Sequence, residues 1–203
     1  MSNLMYTLPT YFEVNEERFD IREKGDYRIV LSCFNILYDD SLLSDKEKLW
    51  ACLIVFYADI EDVDDILLLS DETIKELTEK MFWFFDCGND YDTQKTNQKR
   101  LIDWDKDEML ITSAINNVAG KEIRAEKYLH WWTFISYYMA IGECSLSTIV
   151  VIRDKVANHK KLEKYEKKYM EDNPQYFNID YRSKEEKDDD EWLQALWNNG
   201  GAK

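Results

Sequence analysis

The hydrophobic and polar positions of this chain follow two periods. Residues 11–21 alternate. Tyr11-Phe12-Glu13-Val14 and Arg18-Phe19-Asp20-Ile21 run at period two, with Asn15-Glu16-Glu17 between them. That pattern predicts a short β-hairpin with Phe12, Val14, Phe19 and Ile21 on one face. Two strands alone are marginal in water, so the hairpin must pack on something else.

From Tyr27 onward the apolar residues recur at helical spacing. Tyr27, Val30, Leu31, Phe34 and Leu37 share one face of a helix over 27–38. Ser44-Asp45-Lys46-Glu47 has the order of a capping box. It opens a helix through about Tyr57, with Leu49, Trp50, Leu53, Ile54 and Tyr57 inward. Ser70-Asp71-Glu72 caps another helix, whose apolar stripe is Ile74, Leu77, Met81 and Phe85. Residues 86–100 are polar and read as a loop. A helix then starts at Asp103 or Asp105 and runs through Val118, with Gly120 as its C-cap.

The most apolar stretch is Ala125–Ile141, read as one helix that contains Leu129-His130-Trp131-Trp132-Thr133-Phe134 and stops at Gly142. Ser145 or Ser147 caps a further helix through Ile149, Ile152 and Val156. It leads into Lys160–Lys168, a run with five lysines against two glutamates. Pro174 ends regular structure. Residues 183–191 read as a solvated acidic linker, and Trp192, Leu193, Leu196 and Trp197 as the stripe of a short last helix. The predicted architecture is mainly α: a helical domain over 1–174 with an N-terminal β-hairpin, then an acidic tail over 175–203.

Composition sharpens this. Six Gly and two Pro in 203 residues favour long helices over a many-turned β architecture. Aromatics at 14% supply large rings for a core. A net charge of −15 repels phosphate backbones and anionic lipid, so direct binding to nucleic acid or a membrane surface is not expected. The same charge suits a basic partner or a DNA mimic. Cys33, Cys52, Cys87 and Cys144 are scattered and lack metal or redox spacing, which predicts reduced, buried thiols. Met1–Pro9 does not read as a targeting segment, and no apolar run has the ~18–20 residues of a membrane span.

Catalytic chemistry finds little support. The two histidines, His130 and His159, have no Cys or His partner at ligand spacing, and no phosphate-binding loop or nucleophile motif is present. The acids Asp59, Glu61, Asp62, Asp64 and Asp65 lack the order and central Gly of a calcium loop, and read as a solvated turn. A metal-dependent helical hydrolase built on them is a remote third reading. No catalytic residue, metal or cofactor is predicted. His130 is either a proton switch or ligand, or a buried imidazole bonded to a neighbour's carbonyl or carboxylate. Trp131 and Trp132 form a binding platform, or one is core and the other interface, since adjacent helical positions diverge by about 100°. The Trp192/Leu193/Leu196/Trp197 stripe docks either on a partner or on the chain's own core.

Several of these patterns together resemble one family of bacteriophage proteins, the "gp fifteen" family, encoded among tail genes near the tape measure gene. The resemblance spans roughly residues 4–173. It rests on Leu8-Pro9 before a hairpin, Asp26-Tyr27-Arg28 opening a helix, and Ile102-Asp103-Trp104-Asp105-Lys106-Asp107. Leu129-His130-Trp131-Trp132-Thr133-Phe134 followed by Ile152-Arg153 and the lysine-rich run adds to it. Gly120-Lys121-Glu122-Ile123-Arg124 departs from that family's usual Gly-Ile-Asp-Leu.

The resemblance implies a non-enzymatic, tail assembly chaperone-like role in the host cell cytoplasm. The chain would bind and solubilise the tape measure protein alongside other tail assembly proteins, with self-association compatible. The candidate partner-binding residues are His130, Trp131, Trp132, Phe134, Trp192, Leu193, Leu196 and Trp197. The alternative is an acidic phage protein that binds a host protein, as inhibitor, DNA mimic or target of a host defence protein.

Overall fold

A computed structural model of the chain describes residues 7–38, 44–89 and 99–179. The alternating segment forms β1 (Tyr11–Val14) and β2 (Glu17–Asp20), paired antiparallel with Phe12 opposite Phe19. Asn15 and Glu16 alone make the turn, both at positive φ (51° and 67°), the geometry that matches the twist of a two-residue hairpin. Glu17 is therefore strand rather than loop.

Eight α-helices follow among the described residues: α1 (Tyr27–Tyr38), α2 (Asp45–Phe56), α3 (Val63–Leu68), α4 (Asp71–Phe85), α5 (Glu108–Ala119), α6 (Trp131–Met139), α7 (Ser145–Ala157) and α8 (Lys164–Asp172). The fold is mainly α with an N-terminal hairpin, as the patterning predicts. No described helix is long and apolar enough to cross a membrane.

Local chemistry explains most helix starts. Ser44 Oγ accepts from the Glu47 N–H, and the Glu47 carboxylate accepts from the Ser44 N–H at 2.7 Å, completing the capping box of α2. Ser70 accepts from the Thr73 N–H at 3.1 Å to open α4. The acidic run of 59–65 is used the same way. Asp62 accepts from the Asp64 N–H at 2.8 Å to cap α3, and Asp65 accepts from the Glu61 N–H at 2.8 Å. Among the described residues no group of three or more His, Cys, Asp and Glu is placed to hold a metal ion.

Five boundaries differ from expectation. Asp103 does not start α5. Its carboxylate accepts from the Asp105 and Lys106 N–H groups at 3.2 and 3.0 Å, which holds 104–107 as a turn, and the helix begins at Glu108. Ala125–Ile141 is not one helix either. Ile123–Ala125 is a 3-10 turn, and α6 begins only at Trp131. The residue before α7 is Cys144, whose N–H is accepted by Ser147 Oγ at 2.9 Å. His159, at φ 52°, breaks the helix before the lysine run, so α8 is separate. Pro174 opens a 3-10 turn at Pro174–Tyr176 rather than ending regular structure. The predicted linker at 183–191 and the stripe at 192–197 lie outside the described residues.

Two of the four free cysteines, Cys33 and Cys52, are buried, whereas Cys87 and Cys144 are only half-buried. Burial, with Asp86 adding to it, pushes the Cys87 thiol up to about 11.

The chain divides into two compact units, one of residues 1–91 and 112–141, the other of 92–111 and 142–203; the span 1–174 contributes to both. In the first unit α1 packs on α2 and α6, α2 on α4, and β1 on α4. Arg22 finishes α2: its guanidinium donates to the carbonyls of Ile54, Val55 and Tyr57 at 2.9–3.1 Å, a cation at the negative end of a helix. The buried Tyr57 hydroxyl donates to the Leu77 carbonyl at 2.8 Å, and burial raises its pKa.

The second unit is organised around an ion pair. Arg153 and Asp107 are both fully buried and joined twice, with Nη2 to Oδ1 at 2.8 Å. Arg153 also donates to the carbonyls of Leu101 and Tyr176, at 2.9 and 2.8 Å. Burying a charge costs several kcal/mol unless partners replace water, and here every donor direction has an acceptor. Beside it, Lys155 holds the carboxyl of the buried Glu166 below its ordinary range from 2.6 Å, helped by the Glu163 N–H.

Replacing Asp107 by Asn, or Arg153 by Met, strands the other half of the pair. Each single variant is expected to lose about 3–5 kcal/mol, read as a lower urea midpoint by far-UV circular dichroism. The double variant Asp107→Leu/Arg153→Met should recover most of that loss.

Candidate functional site

The residues carrying the family resemblance meet where α6 begins. Gly25-Asp26-Tyr27 runs beside Leu129-His130-Trp131 as a single antiparallel bridge. The Tyr27 N–H donates to the Leu129 carbonyl at 2.9 Å, and the Trp131 N–H to the Gly25 carbonyl at 2.8 Å. Asp26 is buried, and its carboxylate accepts from the Leu129 N–H at 2.8 Å and the Arg28 N–H at 3.0 Å. The Arg28 guanidinium bridges that carboxylate at 3.1 Å to the Glu126 carbonyl at 2.9 Å. These partners keep 126–130 extended despite its helical periodicity.

His130 is the N-cap of α6, not part of its interior. Its Nδ1 accepts from the Trp132 N–H at 3.1 Å, so the imidazole proton sits on Nε2 and donates to the Pro9 carbonyl, also at 3.1 Å. Burial lowers the His130 pKa from its ordinary 6.5, against the opposing pull of the Pro9 carbonyl and Asp26. Gly25 makes this approach feasible. It sits at φ 79°, and a Cβ there would lie 2.5 Å from Phe84 Cζ and 3.2 Å from His130 Nε2.

The two indoles converge rather than diverge. Trp131 Nε1 donates to the Phe85 carbonyl and Trp132 Nε1 to the Phe84 carbonyl, each at 2.9 Å. Those are the last carbonyls of α4, which have no partner within their own helix. The rings reach them from adjacent positions because the α4 end lies across the first turn of α6. Phe134 stacks on Tyr27, with ring centroids 4.6 Å apart, and on Trp131 at 5.5 Å.

His130, Trp131 and Phe134 are thus buried, at 1%, 1% and 2% exposure, and only Trp132 is half-exposed. In the folded chain these three present no surface, and His130, Trp131 and Trp132 form a clasp on the end of α4. Trp192, Leu193, Leu196 and Trp197 lie outside the described residues.

A surface of different character runs along the first unit. Thr7–Glu13 and the outer face of α4, from Glu72 to Trp83, line an open groove of about 1210 Å³. Leu8 and Tyr11 are exposed on one wall, and Phe12 meets Trp83 edge to face at 5.9 Å across its floor. On α4 the charges pair with each other, Lys80 with Glu76 at 3.3 Å and Lys75 with Glu79 at 3.8 Å. Among the described residues β1 pairs only with β2, and no strand pairs with its other edge. The sequence signal for this groove was Tyr11, an aromatic on the polar face of the hairpin, but periodicity alone assigns it to solvent.

Acid should loosen the clasp. Because the folded-state pKa of His130 is depressed, the unfolded chain binds more protons, and stability falls as pH drops below about 6.5 toward the lowered value. His130→Asn keeps a capping oxygen without titrating. Its thermal midpoint should fall less between pH 7.5 and pH 5 than that of the unaltered chain.

Compared with known protein families, residues 4–179 match the family described as "Bacteriophage Gp15 protein". No curated protein and no solved structure gives a match. The match takes in the hairpin, the Asp26 bridge, the His130-Trp131-Trp132 clasp and the Arg153–Asp107 pair, and the chain therefore belongs to the bacteriophage Gp15 family.

Proposed function

We propose that this protein is a tail assembly chaperone-like factor that binds the phage tape measure protein in the host cytoplasm and keeps it soluble until the tail tube forms. The observation that carries this reading is the groove of the first unit, where Leu8, Tyr11, Phe12 and Trp83 are set among paired charges beside a strand edge, on a chain of net charge −15. A long, partly apolar client chain can lay a segment against Leu8, Tyr11 and the β1 edge, gaining backbone hydrogen bonds that depend little on its sequence. The acidic exterior then keeps loaded complexes apart. Membership of a bacteriophage family supplies the setting. The role requires no catalytic residue, metal or cofactor.

Co-expression with the tape measure protein tests this. The client should become soluble and copurify. The double variant Leu8→Glu/Tyr11→Glu, altered only at exposed positions, should keep its circular dichroism spectrum and recover roughly tenfold less client, since a charge at each apolar contact costs about 1 kcal/mol or more. Absence of a complex, or full binding by the double variant, contradicts the proposal.

A further inference from the structure

The groove beside β1 has two unlike ends, because β1 and α4 run past each other in opposite directions. Phe12 meets Trp83 near the end of α4, with ring centroids 5.9 Å apart, and the Lys80 ammonium lies 5.8 Å from the Phe12 ring. Further along the chain the Asn15 side-chain amide donates to the Thr73 hydroxyl at 3.0 Å, near the start of the helix. Both walls therefore change character together. Leu8, Tyr11, Phe12 and Trp83 gather at one end. Glu13 on the strand, and Glu76 and then Glu72 on the helix, follow toward the other.

The charges of this lining do not cancel. Glu13, Glu72, Glu76 and Glu79 stand against Lys75 and Lys80. Each lysine is taken by one acid of its own helix, Lys80 by Glu76 and Lys75 by Glu79. Arg18 is opposite Glu13 across the hairpin, but its guanidinium is bound to Asp20 at 2.6 Å and lies over the Tyr11 ring. That pair adds no net charge. Glu13 and Glu72 are exposed, and their carboxylates meet no cation among the described residues. The positive end of the α4 dipole offsets about half a charge there. Asp71, also exposed, more than restores it.

We infer that the groove selects client segments in which a large apolar side chain and a lysine or arginine stand a few residues apart. The apolar side chain meets Leu8, Tyr11 and Trp83, and the cation reaches the Glu13 or Glu72 carboxylate. From Tyr11 to Glu13 the strand advances about 7 Å, and from Trp83 to Glu72 the helix spans about 16 Å. An extended segment covers those distances in about two to five residues. Apolar contact alone would accept any apolar stretch. The two carboxylates add discrimination against stretches with an acid in that place, and the discrimination is strongest at low salt. The selection rests on the client-binding reading and narrows it to particular stretches of the tape measure protein.

Overlapping synthetic peptides that tile the tape measure protein, arrayed and probed with the unaltered chain, give the first test. The bound peptides should share the apolar and cationic pair at that spacing. The strongest binder is then titrated by fluorescence anisotropy beside a counterpart with glutamate in place of its cation. The unaltered chain should prefer the cationic peptide roughly tenfold at low ionic strength, and added salt should shrink the preference. Glu13→Gln/Glu72→Gln should lose most of the preference, and Glu13→Lys/Glu72→Lys should favour the acidic peptide. Circular dichroism checks that each variant is folded. The glutamine pair brings no new charge to the hairpin or to the start of α4, so the result does not hang on the lysine pair.

Peptides bound without that spacing, or a charge preference that the glutamine pair leaves intact, overturn the selection yet leave client capture in co-expression standing. An array that binds nothing overturns it as well. If no client is captured in co-expression either, the client-binding reading falls with it.

Discussion

The first unit depends on a buried carboxylate. Asp26 has almost no contact with solvent, and a carboxylate there costs several kcal/mol unless charged or N–H donors replace water. Its donors are the Leu129 N–H, the Arg28 N–H and the Arg28 guanidinium. Once Leu129 is held there, the Trp131 N–H meets the Gly25 carbonyl and His130 is left at the position where α6 must start. The indoles of Trp131 and Trp132 then fall on the last carbonyls of α4. One charge, 103 residues away in sequence from the amide that satisfies it, thereby fixes where two helices meet.

This explains what could be read in the sequence and what could not. The hairpin, the Ser44–Glu47 box and the Ser70 cap depend on residues within a few positions of one another, and each forms where the pattern predicts. Residues 126–130 carry helical periodicity, but Asp26 takes the Leu129 N–H and Arg28 the Glu126 carbonyl, and these non-local partners override local preference. Arg153 and Asp107 stand 46 positions apart and look like ordinary surface charges until packing joins them. The groove is formed by a strand edge and a helix face, neither of which is distinctive alone.

The distinction between clasp and surface changes the functional reading. A Leu-His-Trp-Trp run looks like a recognition platform because exposed aromatics often bind partners. Here one imidazole caps a helix and two indoles terminate another, so the rings are committed to the fold. Among the described residues, Trp132 is half-exposed, and the groove beside β1, the leucines of α3 and the lysines of α8 also reach the surface. The negative charge on the rest of the exterior restricts what can approach them.

Hydrogen exchange followed by NMR tests this central distinction most directly. If the His130–Trp132 junction is a clasp, the Leu129 and Trp131 amides and both indole N–H groups exchange only when the first unit unfolds as a whole. They should then share the denaturant dependence of core amides such as Leu53, with or without a client present. Rapid, denaturant-independent exchange in the free protein, or protection that appears only once a client is bound, would show instead that these rings form a binding surface.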